Sequence, residues 1–280
     1  LGIECEAPET LRDPQVLEHL RALAIDLAIV ADYGEILRRS FLDLPRIGAF
    51  NLHASILPRW RGAAPVQHAI LAGDEETGVT LFRIEEGLDS GPIVAIRKTA
   101  IDPYEKASEL EARLARLAAE LLEETLPSFA DGTFEETPQD TAGVTRAPKL
   151  TKDFGRIDWS LPPRRLVDFV RALDPWPRAT TWLERRAGGR ERVILHAVRE
   201  AETDARPDPS VEPGTITAVT KRRLEVACGG GAIDIVEIQP EGKAVMSAAA
   251  FLNGHAVVPG DRFVDLDEEE GRRTSAAPER

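Results

Sequence analysis

The chain has 280 residues, 42% of them hydrophobic and 30% charged, with two cysteines and a formal net charge of −13. Two ordinary domains or one large one fit that length, and the composition supports both a core and a hydrated surface. A disulfide framework is excluded because Cys5 and Cys228 are too few, a membrane-spanning helix because no apolar run approaches the roughly 18 residues it needs, and general affinity for nucleic acid because phosphate contacts need cations.

The charge is uneven. Residues 1–151 hold 15 Lys and Arg against 26 Asp and Glu, whereas residues 152–263 hold 17 against 16. A near-neutral later region suits a solvated surface and an RNA-facing one equally. Two reduced thiols and no charged-then-apolar leader point to the cytoplasm.

Residues 14–24 put Val16, Leu17, Leu20 and Leu23 at helical spacing. Residues 27–30 read as a short buried strand, and 47–52 as another. A helix follows over 62–71, with Pro65 in its first turn, where a missing N–H costs little. Strands are predicted over 79–84 and 92–96. The clearest helix covers 106–126, carrying Leu110, Leu114, Leu117, Leu121 and Leu122. Strands alternating with helices predict a mostly parallel, covered sheet.

Over residues 127–153 Gly, Pro, Thr and Asp break the periodicity, as in a linker. Ser160 and Pro162-Pro163 then announce a helix with Leu166, Val167, Val170 and Leu173, which Asp174-Pro175 ends. Short strands over 180–183, 192–198, 214–219, 224–227 and 233–238 suggest a small barrel. Gly229-Gly230-Gly231 reads as a hairpin turn rather than a phosphate cradle, since no helix opening on Lys-Ser or Lys-Thr follows it. Ser247 can cap a short last helix ending near Gly254. The acidic, aromatic-free tail reads as disordered. The expected divisions are a first domain at 1–132, a linker at 133–153, a second domain at 154–263 and a tail at 264–280.

Three segments carry candidate chemistry. Asn51 and His53 close a predicted strand, where ligands of open α/β sheets bind, and their spacing of two points both side chains the same way. An imidazole can move a proton near neutrality, and a carboxamide can donate to an oxyanion. The loop from Ala54 to Pro65 packs a rigid Pro58, Arg59, Trp60, Arg61 and Gly62 between strand and helix. Arginine can grip a carboxylate or phosphate bidentately, yet an anchored surface loop explains these residues too. Asp89-Ser90-Gly91 is an ordinary turn by default, but it follows a strand and could bring Asp89 to His53.

At these residues the chain resembles the folate-dependent formyltransferase family, whose core pattern is Asn-x-His, a Ser-Leu-Leu-Pro loop and a later Asp-x-Gly. Here the pattern reads Asn51-Leu52-His53, Ser55-Ile56-Leu57-Pro58 and Asp89-Ser90-Gly91. The segment from Ala54 through Gln67, and that from Gly73 to Thr80, are most similar to the family's methionyl-tRNA branch. The likeness continues in order through residues 147–152, 155–160, 175–177 and 242–248 to Pro259-Gly260-Asp261-Arg262. Departures are Ile56 for a leucine, Arg146 where an aromatic is usual, and Asp32 close to a buried strand end.

The resemblance implies an α/β fold: a Rossmann-like formyltransferase domain followed by a small OB-like β-barrel. It implies that Asn51, His53 and Asp89 are the catalytic trio and that Ser55, Ile56, Leu57 and Pro58 line the folate site. The implied reaction moves a formyl group from 10-formyltetrahydrofolate to the α-amine of initiator methionyl-tRNA, without a metal, in a cytoplasmic monomer. Lys149, Lys152, Arg156, Arg185, Arg186, Arg190 and Arg192 become candidates for tRNA contact. It also implies that the chain, opening on Leu1, begins after the family's first βαβ unit and its basic tRNA-contacting loop. The motifs leave open transfer to an amino sugar, hydrolysis of 10-formyltetrahydrofolate, and an inactive relic that holds tRNA or folate.

Overall fold

The computed structural model describes residues 2–202 and 210–265, so the expected tail falls, from residue 266 on, outside the described residues. The contacts divide into two units. Unit 1 comprises Leu1–Val66, Glu76–Ala100 and Glu111–Pro148; unit 2 comprises Gln67–Glu75, Ile101–Leu110 and Lys149–Arg280.

The chain opens with α1 (Pro14–Ala22), β1 (Leu27–Val30), α2 (Arg39–Leu42), β2 (Gly48–His53), β3 (Arg61–Gly62), α3 (Pro65–Ala72), β4 (Glu76–Arg83), β5 (Ile93–Ala100), α4 (Ala107–Asp131) and β6 (Arg146–Ala147). Helix α1 starts as the sequence dictates: Asp13 accepts from the Gln15 N–H, and Pro14 occupies the first turn. The main sheet of unit 1 runs β1-β2-β4-β5. Only its β1–β2 pair is parallel; β4 lies antiparallel to both β2 and β5. This corrects the mostly parallel sheet expected, because alternation marks a strand without revealing its direction.

Phe50 of β2 is fully buried against Phe129 at 4.7 Å and Phe134 at 5.8 Å. That contact helps explain why α4 extends past its predicted end and through Pro127. Phe129 anchors the last turn, and the Thr125 hydroxyl donates to the Leu121 and Leu122 carbonyls just before the proline. Residues 133–147, read above as linker, belong to unit 1: Thr137 bridges to Ile93, and β6 pairs in parallel with β3.

Unit 2 continues with a 3-10 turn (Lys152–Gly155), α5 (Pro163–Ala172), β7 (Ala179–Glu184), β8 (Arg190–Glu200), β9 (Ile216–Val219), β10 (Leu224–Cys228), β11 (Gly231–Pro240), β12 (Met246–Ser247), α6 (Ala248–Gly254) and β13 (Arg262–Val264). Its strands follow the order β13-β7-β8-β11-β10-β9. A bridge between Thr215 and Arg262, with the Phe263 N–H donating to the Gly214 carbonyl at 2.8 Å, links the two ends. The sheet is thus a nearly closed barrel. Closure requires glycine at 214, where a Cβ would stand 2.1 Å from the Phe263 carbonyl oxygen. Gly229 and Gly230 form the β10–β11 hairpin turn, flanked by the Cys228–Gly231 pair, as expected. Ser247 caps α6 by accepting from the Ala250 N–H.

Candidate active site

Strand β2 is an inner strand, and its carboxyl end carries Asn51 and His53 on one face. Asn51 is half-buried, and among the described residues its carboxamide has no hydrogen-bond partner. His53 is buried with its ring edge-on to Phe82, 6.3 Å between centroids. Its Nε2 lies 2.9 Å from the Trp60 carbonyl oxygen. A carbonyl can only accept, so Nε2 carries the hydrogen and Nδ1 is the nitrogen left to exchange a proton.

Nδ1 faces the Asp89 carboxylate at 3.9 Å, an ion-pair distance rather than a hydrogen bond. The turn after β4 therefore does bring Asp89 to His53, as the sequence suggested. The hydrogen bond that fixes the ring, however, comes from Trp60. Asp89 is itself held by the Gly62 N–H, which donates to Oδ2 at 2.7 Å.

The loop from Ser55 to Gly62 is a braced element. Thr80, fully buried on β4, accepts from the Leu57 N–H at 3.1 Å and donates to the Ser55 carbonyl at 2.6 Å. The Ser55 hydroxyl donates to the Arg59 carbonyl at 2.7 Å. Trp60 adopts a left-handed conformation, φ 65°, with its N–H on the Thr145 hydroxyl at 2.8 Å. The Arg59 guanidinium lies over the Trp60 ring at 4.3 Å. Gly62 pairs with Ala147 so closely that a Cβ would stand 2.5 Å from the Ala147 carbonyl oxygen. Of the four predicted folate-lining residues, Ser55 and Leu57 are buried, while Ile56 and Pro58 are partly exposed. The first pair can shape a ligand surface; the second can touch a ligand.

Sequence reading missed Thr80, Thr145, the Trp60 carbonyl and Gln139. The Gln139 carboxamide nitrogen donates to the Asp89 and Gly91 carbonyls, and its oxygen accepts from Arg61. Trp60 and Thr80 lie in segments that carry the family likeness, but nothing there marks the Trp60 carbonyl or the Thr80 hydroxyl as a support, and Gln139 and Thr145 belong to no motif. For Gln139 and Thr145 the cue was the density of polar residues in 137–145, which reads equally well as a loop.

The candidate tRNA residues all lie in unit 2. Lys152, Arg156 and Arg192 line one cleft of about 310 Å³ with Thr180, Thr181 and Trp182. Arg156, Arg185, Arg190 and Arg192 each pair with a carboxylate: Asp153, Glu191, Glu184 and Glu241, at 2.6 to 3.3 Å. The Arg186 N–H donates to Asp261, and the Lys149 and Arg186 side chains are exposed. Among the described residues no helix is long and apolar enough to cross a membrane, and no three His, Cys, Asp or Glu side chains cluster to hold a metal ion.

Residues 5–126 match the formyl transferase family model, and residues 149–256 match that of the formyl transferase C-terminal domain. A methionyl-tRNA formyltransferase from Methylobacterium sp. (strain 4-46) is 44% identical over 263 residues, which cover 94% of this chain and 81% of the relative. One from Methylococcus capsulatus is 46% identical over 256 residues, 91% of this chain and 80% of the relative. Among solved structures, HypX from Aquifex aeolicus in complex with tetrahydrofolic acid aligns with a TM-score of 0.61 at 20% identity, covering 89% of this chain and 44% of that one. The sugar 3N-formyl transferase WlaRD aligns with a TM-score of 0.59 at 15% identity, over 80% and 77% of the two chains. These two likenesses carry the fold alone. Both family models match in order and the identities run across both units, so the chain belongs to the formyl transferase family, in the branch of the methionyl-tRNA formyltransferases.

Proposed function

We propose that this chain transfers a formyl group from 10-formyltetrahydrofolate to the α-amine of methionyl initiator tRNA, and that Asn51, His53 and Asp89 carry the chemistry. The observation behind the reading is the His53 ring, held at Nε2 by a backbone carbonyl and facing the Asp89 carboxylate with Nδ1, on the strand face that also carries the Asn51 carboxamide, which has no hydrogen-bond partner among the described residues. The relatives' shared name supplies the reaction and the acceptor, the family resemblance at Asn51, His53, Asp89 and the loop Ser55 to Pro58 supplies the folate-type donor, and HypX, which shares the fold, is itself a complex with tetrahydrofolic acid.

The amine nitrogen attacks the formyl carbon, and the carbonyl electrons move onto oxygen, where the Asn51 N–H donates to the developing charge. The attacking nitrogen loses a proton to His53 Nδ1, where the Asp89 carboxylate lies within ion-pair distance. Collapse of the intermediate breaks the bond to folate N10, and the same proton passes from His53 to that nitrogen. The balance closes without metal or oxidant. Ile56 and Pro58, on the surface shaped by Ser55 and Leu57, contact the folate. In unit 2, Lys149, Lys152, Arg156, Arg185, Arg186, Arg190 and Arg192 are the proposed contacts for tRNA phosphates. The protein acts as a cytoplasmic monomer.

The test is formyl transfer to methionyl initiator tRNA, with methionyl elongator tRNA as control. We expect transfer to the initiator only, reduced about 10²–10⁴-fold by His53→Ala, the usual worth of general acid–base help. A His53→Ala protein with wild-type turnover would overturn the assignment.

A further inference from the structure

We propose that Gln139 is the positioning residue that sets the Asp89 carboxylate against His53, an inference that rests on the catalytic reading of that pair. Asp89 sits in a left-handed conformation, φ 48°, which aspartate tolerates in turns and which contacts with its surroundings steady. At its far end the turn packs tightly on β4, since a Cβ at Gly91 would stand 1.9 Å from the Arg83 carbonyl oxygen. One side chain ties both ends of the turn. The Gln139 Nε2 donates to the Asp89 carbonyl at 2.9 Å and to the Gly91 carbonyl at 2.8 Å. Its Oε1 accepts from Arg61 twice, from Nε at 3.1 Å and from Nη2 at 2.6 Å.

Every hydrogen-bonding position of the carboxamide is used: two hydrogens and two lone pairs. The orientation of the amide follows from the partners, since a flipped group would set oxygen against two carbonyls and NH₂ against a cation. Arg61 immediately precedes Gly62, whose N–H grips the Asp89 carboxylate. Gln139 therefore ties the backbone of the Asp89 turn to the strand that holds the Asp89 side chain, fixing both ends of that residue at once. Glutamate matches Gln139 in length and would pair better with Arg61, but it offers no hydrogen to the two carbonyls. Asparagine is one methylene too short to span both partners.

The experiment measures kcat, KM and the pH–kcat profile of the full chain with methionyl initiator tRNA and 10-formyltetrahydrofolate. The variants are Gln139→Ala, Gln139→Glu, Asp89→Asn, Gln139→Ala/Asp89→Asn and His53→Ala, each checked for an intact thermal transition. Gln139→Met, which keeps length without hydrogen bonds, replaces the alanine variant if that one unfolds. We expect Gln139→Ala to lower kcat about 10–100-fold, as loss of a residue supporting a functional group does, with both KM values little changed and the pH profile moved toward that of Asp89→Asn. Gln139→Glu should fall at least as far, despite its stronger pairing with Arg61. The double variant should be no slower than Asp89→Asn alone, because both changes act through one group. Wild-type kcat in either single Gln139 variant, or losses that multiply in the double variant, would overturn the inference. Wild-type activity in His53→Ala and Asp89→Asn would instead overturn the catalytic reading beneath it.

Discussion

Thr80 offers a direct test of what holds the candidate folate loop. Its hydroxyl is fully buried and serves two buried backbone groups, accepting from Leu57 and donating to Ser55. Thr80→Val keeps the shape and removes the hydroxyl, leaving the Leu57 N–H and the Ser55 carbonyl without it. An unsatisfied buried group costs about 1–3 kcal/mol, so the pair sums to roughly 4 kcal/mol, a large part of a typical domain's 5–15 kcal/mol. Thr80→Ser is the control: it keeps the hydroxyl and loses one methyl, worth about 1 kcal/mol. Hydrogen exchange by mass spectrometry over residues 54–60 reads the local effect. Loss of about 2 kcal/mol at the Leu57 amide corresponds to roughly thirtyfold faster exchange. In the transfer assay the same variant should raise the KM for the formyl donor more than it lowers kcat. Wild-type exchange across the loop and a wild-type urea midpoint in Thr80→Val would refute the claim that this hydroxyl braces it.

In unit 2, Arg171 and Asp168 are both buried, and Arg171 also donates to the Asp102 and Glu105 carbonyls. Burial draws the Arg171 guanidinium below its ordinary value while Asp168 opposes that shift. Asp168→Ala strands the cation and should cost about 3–5 kcal/mol by denaturant titration; a loss below 1 kcal/mol would show the pair to be dispensable. The Cys228 thiol is pushed up to about 12, first by burial and then by Glu200. Its folded form stays protonated where the unfolded thiol ionises, so its contribution to stability is complete below about pH 9 and lost as pH rises from 9 to 12. Cys228→Ala should show a shallower decline over that window, and equal declines would refute the shift. For tRNA binding, Lys152→Ala should reduce the slope of log affinity against log salt by about one, whereas carboxylate-paired Arg190 should matter less. An unchanged slope would remove Lys152 from the interface.

The chain's local pattern, by itself, marked the longer strands and helices and the candidate reactive side chains, but not the short elements α2, β3, β6, β12 and β13. Period-two spacing put Asn51 and His53 on one face of β2, and a turn after a strand pointed Asp89 at the ring. Short strands with glycine turns marked the barrel, including the Gly229-Gly230 hairpin. These features are legible because backbone geometry within a few residues dictates them.

Only the tertiary structure decided strand direction, the reach of α4 and the supports of the site. Nothing local distinguishes a parallel β4 from the antiparallel one observed. Pro127 reads as a helix end until Phe129 is seen packed on Phe50. The bond fixing His53 comes from a main-chain carbonyl, a group every residue possesses and no residue type advertises. Gln139 and Thr145 reach Arg61 and Trp60 across 78 and 85 residues of sequence. Even the basic candidates in unit 2 are qualified by neighbours that the sequence did not name, since Glu184, Glu191 and Glu241 take up part of their charge. A side chain's chemistry is written in its type, but its partner depends on where the folded chain brings distant segments together.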